Sequence, residues 1–245
     1  MRLRLSFLSL CAVIAAISVN PALGTSLING STASIQNVSG GGVTVNNSGL
    51  FFNTSGANVS NPFAPGGTNT GSFAGLTGGT IQNLTPPVVG AVNIPGFATF
   101  NTAAGLITFN LTNIMPGVGT AGDCLSNTVG NVCTPTLGSG VVSPFTLTQT
   151  SANTVGITLA LSGDAYLGTA ASGVSPTSGI FTTQDTMLGT ITSILTASGT
   201  PAGVTESFSG SFTATSAVIP EPFSMLLMGT GLLGLGLIAR RKAHN

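Results

Sequence analysis

At 245 residues the chain has room for one domain or two. Charged side chains make up 4% of it, against about 25% in an ordinary soluble protein, and all five Lys and Arg sit at the ends, as Arg2, Arg4, Arg240, Arg241 and Lys242. Between Thr25 and Ile219 the only charges are Asp123, Asp164, Asp185 and Glu206, so nothing in the body can track a phosphate backbone and nucleic-acid binding is excluded. An apolar content of 42% likewise excludes a disordered chain.

The N-terminus, MRLRLSFLSLCAVIAAISVNPALG, pairs a basic start at Arg2 and Arg4 with an apolar run from about Leu5 to Val19. Ala22 and Gly24 put small residues at the two positions a signal peptidase reads, so residues 1–24 are expected to be a signal peptide cleaved after Gly24. The run is short for a retained span. Export by the general machinery follows, and with it an oxidising compartment.

Residues 25–80 are rich in Asn, Ser and Gly and read as a β-forming N-terminal segment, distinct from an all-β domain over 81–219. One echo links the two: IQNVSGGGV from Ile35 recurs as IQNLTPPVV from Ile81. Two copies fall short of the three that a solenoid needs. Beyond residue 80 several stretches alternate with period two. LITFNLTNI sets Ile107, Phe109 and Leu111 on one face; ITLALSG does so with Ile157, Leu159 and Leu161; SPFTLTQT points Phe145 and Leu147 inward; ESFSGSFTAT supplies Phe208 and Phe212. Such alternation between Gly, Pro, Asn and Ser punctuation predicts half-buried antiparallel strands. No stretch sustains helical spacing over a dozen residues, so the expected fold is all-β, a β-sandwich-like body.

Cys124 and Cys133 are the only cysteines after residue 24, with eight residues between them. In an oxidising compartment the pair most simply closes a hairpin-like loop as a disulfide, two free thiols being the alternative. Metal binding fails on ligand count, because the body has no histidine and zinc wants four ligands.

Without His, Lys or Arg the body cannot assemble a Ser-His-Asp or Cys-His nucleophile system. Two carboxylates would serve a glycosidase, although the body has no Trp and a single Tyr166 to platform a sugar. Asp123 and Asp164 each follow a Gly and read as turn residues. The four acids are scattered in sequence, so neither a metal nor any other cofactor is expected.

The chain closes with Pro220, Glu221 and Pro222, then 17 uncharged residues from Phe223 to Ala239, then Arg240, Arg241 and Lys242. As a helix the apolar run would cover about 25 Å, close to the hydrocarbon core of a bilayer, and the three cations would stay cytoplasmic as a stop. This compound pattern over residues 220–245 resembles the PEP-CTERM sorting signal of Gram-negative bacteria, whose members also begin with a signal peptide. The resemblance implies a single transmembrane helix at 223–239, recognition by an exosortase (a membrane-embedded, cysteine transpeptidase-like enzyme), cleavage near Pro-Glu-Pro, and passage from an inner-membrane-anchored precursor to the cell surface or extracellular matrix of cells that make exopolysaccharide.

The expectation is therefore an exported, non-enzymatic, all-β surface or matrix protein associated with exopolysaccharide. The alternatives are a two-carboxylate glycosidase, and an ice-binding or adhesive surface protein, of which ice binding needs Thr-x-Thr at a constant period.

Overall fold

The computed structural model describes residues 26–46, 48–52, 60–137, 141–169 and 173–215. Ala22, Gly24, the apolar run 223–239, Pro220, Glu221, Pro222, Arg240, Arg241 and Lys242 lie outside them.

Alternation becomes strands. In chain order these are β1 (Ser31–Asn37), β2 (Val43–Asn46), β3 (Gly49–Phe52), β4 (Ser60–Pro65), β5 (Gly78–Gln82), β6 (Gly90–Thr102), β7 (Gly105–Ile114), β8 (Val132–Cys133), β9 (Thr136–Leu137), β10 (Val141–Val142), β11 (Phe145–Ser151), β12 (Thr154–Leu167), β13 (Ser175–Asp185), β14 (Val204–Glu206) and β15 (Phe208–Ala214). Along β13 buried and exposed residues alternate without a break for 11 positions. Period two means that one face of each strand is apolar, and burying that face is what orders it.

Eight antiparallel ladders together close a ring. β1 pairs with β4, then β5, β6, β7, β12, β13 and β15 follow in turn, and β15 returns to β1. A sandwich of two facing sheets was the expectation; the body is instead a ring of eight strands. Inward alternation serves either architecture equally. What decides is long-range pairing, since β13 is bonded on both sides, to β12 and to β15. Residue 80, the expected domain boundary, falls inside β5, and β1 and β4 are staves of the same ring as the later strands.

An eight-stranded barrel is just wide enough to be filled by side chains, and here phenylalanine fills it. The Phe212 ring lies 5.0 Å from Phe100, 5.3 Å from Phe109 and 5.5 Å from Phe181 by centroid, all edge-on, the arrangement the ring quadrupole favours. Outside, the wall carries mainly Ser, Thr, Asn and Gln, with Leu106 and Ile180 exposed among them. That is the inverse of a membrane barrel, whose outward face is an apolar band.

At one end the sheet forks. β12 exchanges β7 for β11 as neighbour, and β8 adds to β11. A small sheet, β14-β2-β3, covers this end, with Phe52 of β3 packing 5.3 Å from Phe181 and 5.1 Å from Phe208. A short helix, α1 (Ile191–Ser198), lies beside it, started by Thr190, whose side chain accepts from the Ser193 N–H, and followed by Gly199. Its eight residues are too few to show a helical period in sequence. Among the described residues no helix is long and apolar enough to cross a membrane.

The Ile-Gln-Asn echo has a local meaning. Ile35 and Ile81 are both fully buried near strand ends, and the next-but-one Asn serves a neighbouring backbone each time: Asn37 Oδ1 accepts from Phe208 N, Asn83 Oδ1 from Phe52 N. The likeness ends there, for the Phe that lies sixteen residues beyond each Ile is Phe51 on β3 in one copy and the buried Phe97 on β6 in the other.

Candidate functional site

The outward residues of five neighbouring strands form a polar surface. Strand register sets Thr146 opposite Thr158, Thr158 opposite Thr182, Thr182 opposite Ser209, and Ser209 opposite Gln36, one row running across β11, β12, β13, β15 and β1. Across the strands these positions are about 4.8 Å apart, and the next row along lies about 6.8 Å away. In that next row Thr148 and Gln184 flank Gly156. Gly156 has no side chain, so the wall is hollowed there into a groove of about 630 Å³.

Hydroxyls and amides line the groove, and none of its lining residues is charged. Thr182 and Ser209 share a hydrogen bond of 2.9 Å between their hydroxyls. Gln36, Thr148, Thr158 and Gln184 make no side-chain hydrogen bond to any described residue, which leaves their donors and acceptors to water or a ligand.

A second hollow of about 550 Å³ lies between the Pro86–Val88 loop, the 3-10 turn Gly122–Leu125 and α1, and is mostly apolar; Leu125 there is 83% exposed. Cys124, on its wall, is joined to Cys133 of β8 by a disulfide, with Cα atoms 5.2 Å apart. Both sulfurs are thereby spent on each other.

The four acids fall into two kinds. Asp123 does turn chemistry as expected: its Oδ2 accepts from the Thr120 hydroxyl at 2.7 Å and the Thr120 N–H at 3.2 Å. Asp164 is not in a turn. It lies mid-strand in β12, opposite Asn110 of β7 and Pro176 of β13.

Asp185 and Glu206, 21 residues apart in sequence, are brought together. Asp185 is fully buried; its Oδ1 accepts from Leu188 N at 2.7 Å and Gly189 N at 3.3 Å. Glu206 is half-buried, within hydrogen-bonding reach of Asp185. Desolvation first, and then the Asp185 carboxylate, hold the Glu206 carboxyl above its ordinary 4.5. Glycosidases space their two carboxyls at about 5–5.5 or 6.5–9.5 Å to admit a sugar and a water. This pair is in direct contact and lines neither of the two hollows. Among the described residues no three of His, Cys, Asp or Glu gather as a metal site.

The groove was legible in part. In SPFTLTQT the inward Phe145 and Leu147 imply that Thr146, Thr148 and Thr150 face out as a Thr-x-Thr-x-Thr run. Nothing in sequence shows that Gln36 and Ser209 complete the row.

No curated protein and no solved structure matches the chain. The family description that does match is the PEP-CTERM protein-sorting motif, over residues 218–242. It spans Pro220, Glu221, Pro222 and the three closing cations, the residues on which the resemblance was drawn. The chain thus carries a PEP-CTERM protein-sorting motif at residues 218–242, a signal for export toward the cell surface.

Proposed function

We propose that the mature body is a non-enzymatic surface or extracellular-matrix protein that holds uncharged polysaccharide in the groove on its barrel wall. The row Thr158–Thr182–Ser209–Gln36, all of it on the groove, carries this reading. A sugar hydroxyl both donates and accepts, as do the Thr and Ser hydroxyls and, through separate atoms, the Gln amide. Neutral partners meet without the desolvation cost that buried charges impose. Each contact is weak, so a long chain spanning repeated rows, or many protein copies on one chain, supplies the strength. A body without a single Lys or Arg offers no counter-charge to an anionic polymer, which favours neutral chains. The segment 223–239 holds the precursor in the inner membrane, Arg240, Arg241 and Lys242 remain cytoplasmic, and exosortase cleavage near Pro220–Pro222 frees the body.

Native electrophoresis through gels containing a neutral or an anionic polysaccharide tests this. The neutral gel should retard the wild-type body, and Thr158→Val combined with Gln184→Ala should abolish the retardation. Equal retardation of the variant would move the site elsewhere on the surface. Free migration of the wild type in every neutral gel would refute polysaccharide binding itself.

A further inference from the structure

β13 and β15 run antiparallel with Thr183 opposite Phe208. The pairing ends there, and two residues beyond it on each strand Asp185 and Glu206 lie within hydrogen-bonding reach of each other. There the partner chain has already left the ring: Glu206 ends β14, which pairs with β2 of the small covering sheet through three residue pairs only. The two acids therefore meet at the joint between barrel and cover. On the barrel side, Asp185 Oδ1 secures the turn after β13 through Leu188 N and Gly189 N. Its Oδ2 is buried and has no donor. Two ionised carboxylates cannot hydrogen-bond, so that oxygen finds a donor in Glu206 only when Glu206 carries a proton.

We propose that Asp185 and Glu206 form a proton-operated latch between the barrel wall and the β14-β2-β3 cover, closed by one shared proton and released when it is lost. Asp185 already holds two backbone donors, so the proton resides on Glu206. The surroundings offer no substitute for it. Asp164 lies at the far end of β12, opposite Pro176, whereas Asp185 faces Val155; β2, β11, α1 and the turn 186–189 present no titratable side chain, and the body has no Lys, Arg or His. Once both groups ionise, two like charges stand in contact without a cation, and Glu206, the half-buried partner on an edge strand, is the one free to turn out into water. Burial and the Asp185 charge keep the Glu206 carboxyl above its ordinary 4.5. The native state thus retains a proton that the opened state releases. The latch is fully effective below about 4.5 and is lost as pH rises through the higher native value. Gln184 and Ser207, next to the pair in sequence, line the groove, so the latch also braces one end of its rim.

Hydrogen exchange read by mass spectrometry, on the full chain in detergent micelles and corrected for the intrinsic pH dependence of exchange, tests the latch. Peptides covering residues 199–207 should lose protection as pH rises from the ordinary carboxylate range to the native Glu206 titration, by a factor on the order of ten for each pH unit between the two. Peptides from β6 and β7 should hold steady. In Glu206→Gln the amide donates to Asp185 Oδ2 at every pH, and the loss should vanish. An identical pH profile in that variant and the wild type would overturn the latch. So would calcium chloride restoring wild-type protection at neutral pH, which would make the pair a cation site. Should the variant fail to fold, carboxyl ¹³C titration of the wild type decides: Glu206 titrating in the ordinary carboxylate range would refute the proposal.

Discussion

Phe212 of β15 stands directly opposite Gly179 of β13, and a Cβ placed on Gly179 would lie 2.8 Å from the Phe212 ring. The relation repeats one step along with the strands exchanged: Phe181 of β13 faces Gly210 of β15, where a Cβ would lie 3.0 Å from the ring. Each ring thus lies over the bare backbone of the neighbouring strand. Alternating large and small residues across facing positions lets a narrow barrel hold this many phenylalanines without voids or clashes.

Gly179→Ala should therefore displace Phe212 from its edge-on contacts with Phe100, Phe109 and Phe181 and destabilise the fold by about 1–3 kcal/mol. A urea midpoint that falls while the slope stays constant is the expected result. An unchanged midpoint would mean that the Phe212 ring has room to retreat.

Gln149 is fully buried in β11 and ties the turn before α1 to the sheet, its Nε2 donating to Gly189 O at 2.7 Å and Ser151 O at 2.8 Å while Oε1 accepts from Ile191 N at 3.2 Å. Gln149→Leu keeps much of the volume and removes every one of these bonds. Leaving buried backbone groups unpaired should cost about 2–3 kcal/mol. The loss should appear in the thermal midpoint and in faster amide exchange of Ile191 and its neighbours.

Reducing the Cys124–Cys133 disulfide reopens a loop of about ten residues and should lower stability by roughly 2.5–3 kcal/mol on the entropic account. Denaturation with and without reductant measures it. Peptide mapping of non-reduced exported protein should recover the two cysteines linked, and two alkylatable thiols would contradict the bond.

At the tail, Pro220 and Pro222 flank Glu221 immediately before the apolar run, and proline lacks the backbone donor and disfavours helix. Glu221→Ala should leave export intact and block processing, so that unprocessed precursor accumulates in the membrane fraction. Normal maturation of that variant would show that Pro-Glu-Pro is not what the exosortase reads here.

Much of this protein is determined by sequence alone, because much of it is local. Alternation in LITFNLTNI, ITLALSG and SPFTLTQT places Ile107, Phe109, Leu111, Ile157, Leu159, Leu161, Phe145 and Leu147 on inward faces, and all are buried. The compound motif at 220–242 is linear and is read without folding. Asp164 shows where local reasoning stops. It follows Gly163, which resembles a turn signal; yet Gly163 is mid-strand, where a Cβ would lie 2.0 Å from the Asn110 carbonyl oxygen and 2.9 Å from the Phe109 ring, both supplied by another strand. Closure of the ring depends on β1 meeting β15, nearly the whole body apart in sequence. The Asp185–Glu206 contact depends on the register that β15 then imposes on the residues before it. A period of two states which side of a strand is buried. Only the competition among all strands for partners decides which strand lies beside it and at what offset, and the barrel, its groove and its acid pair all follow from that offset.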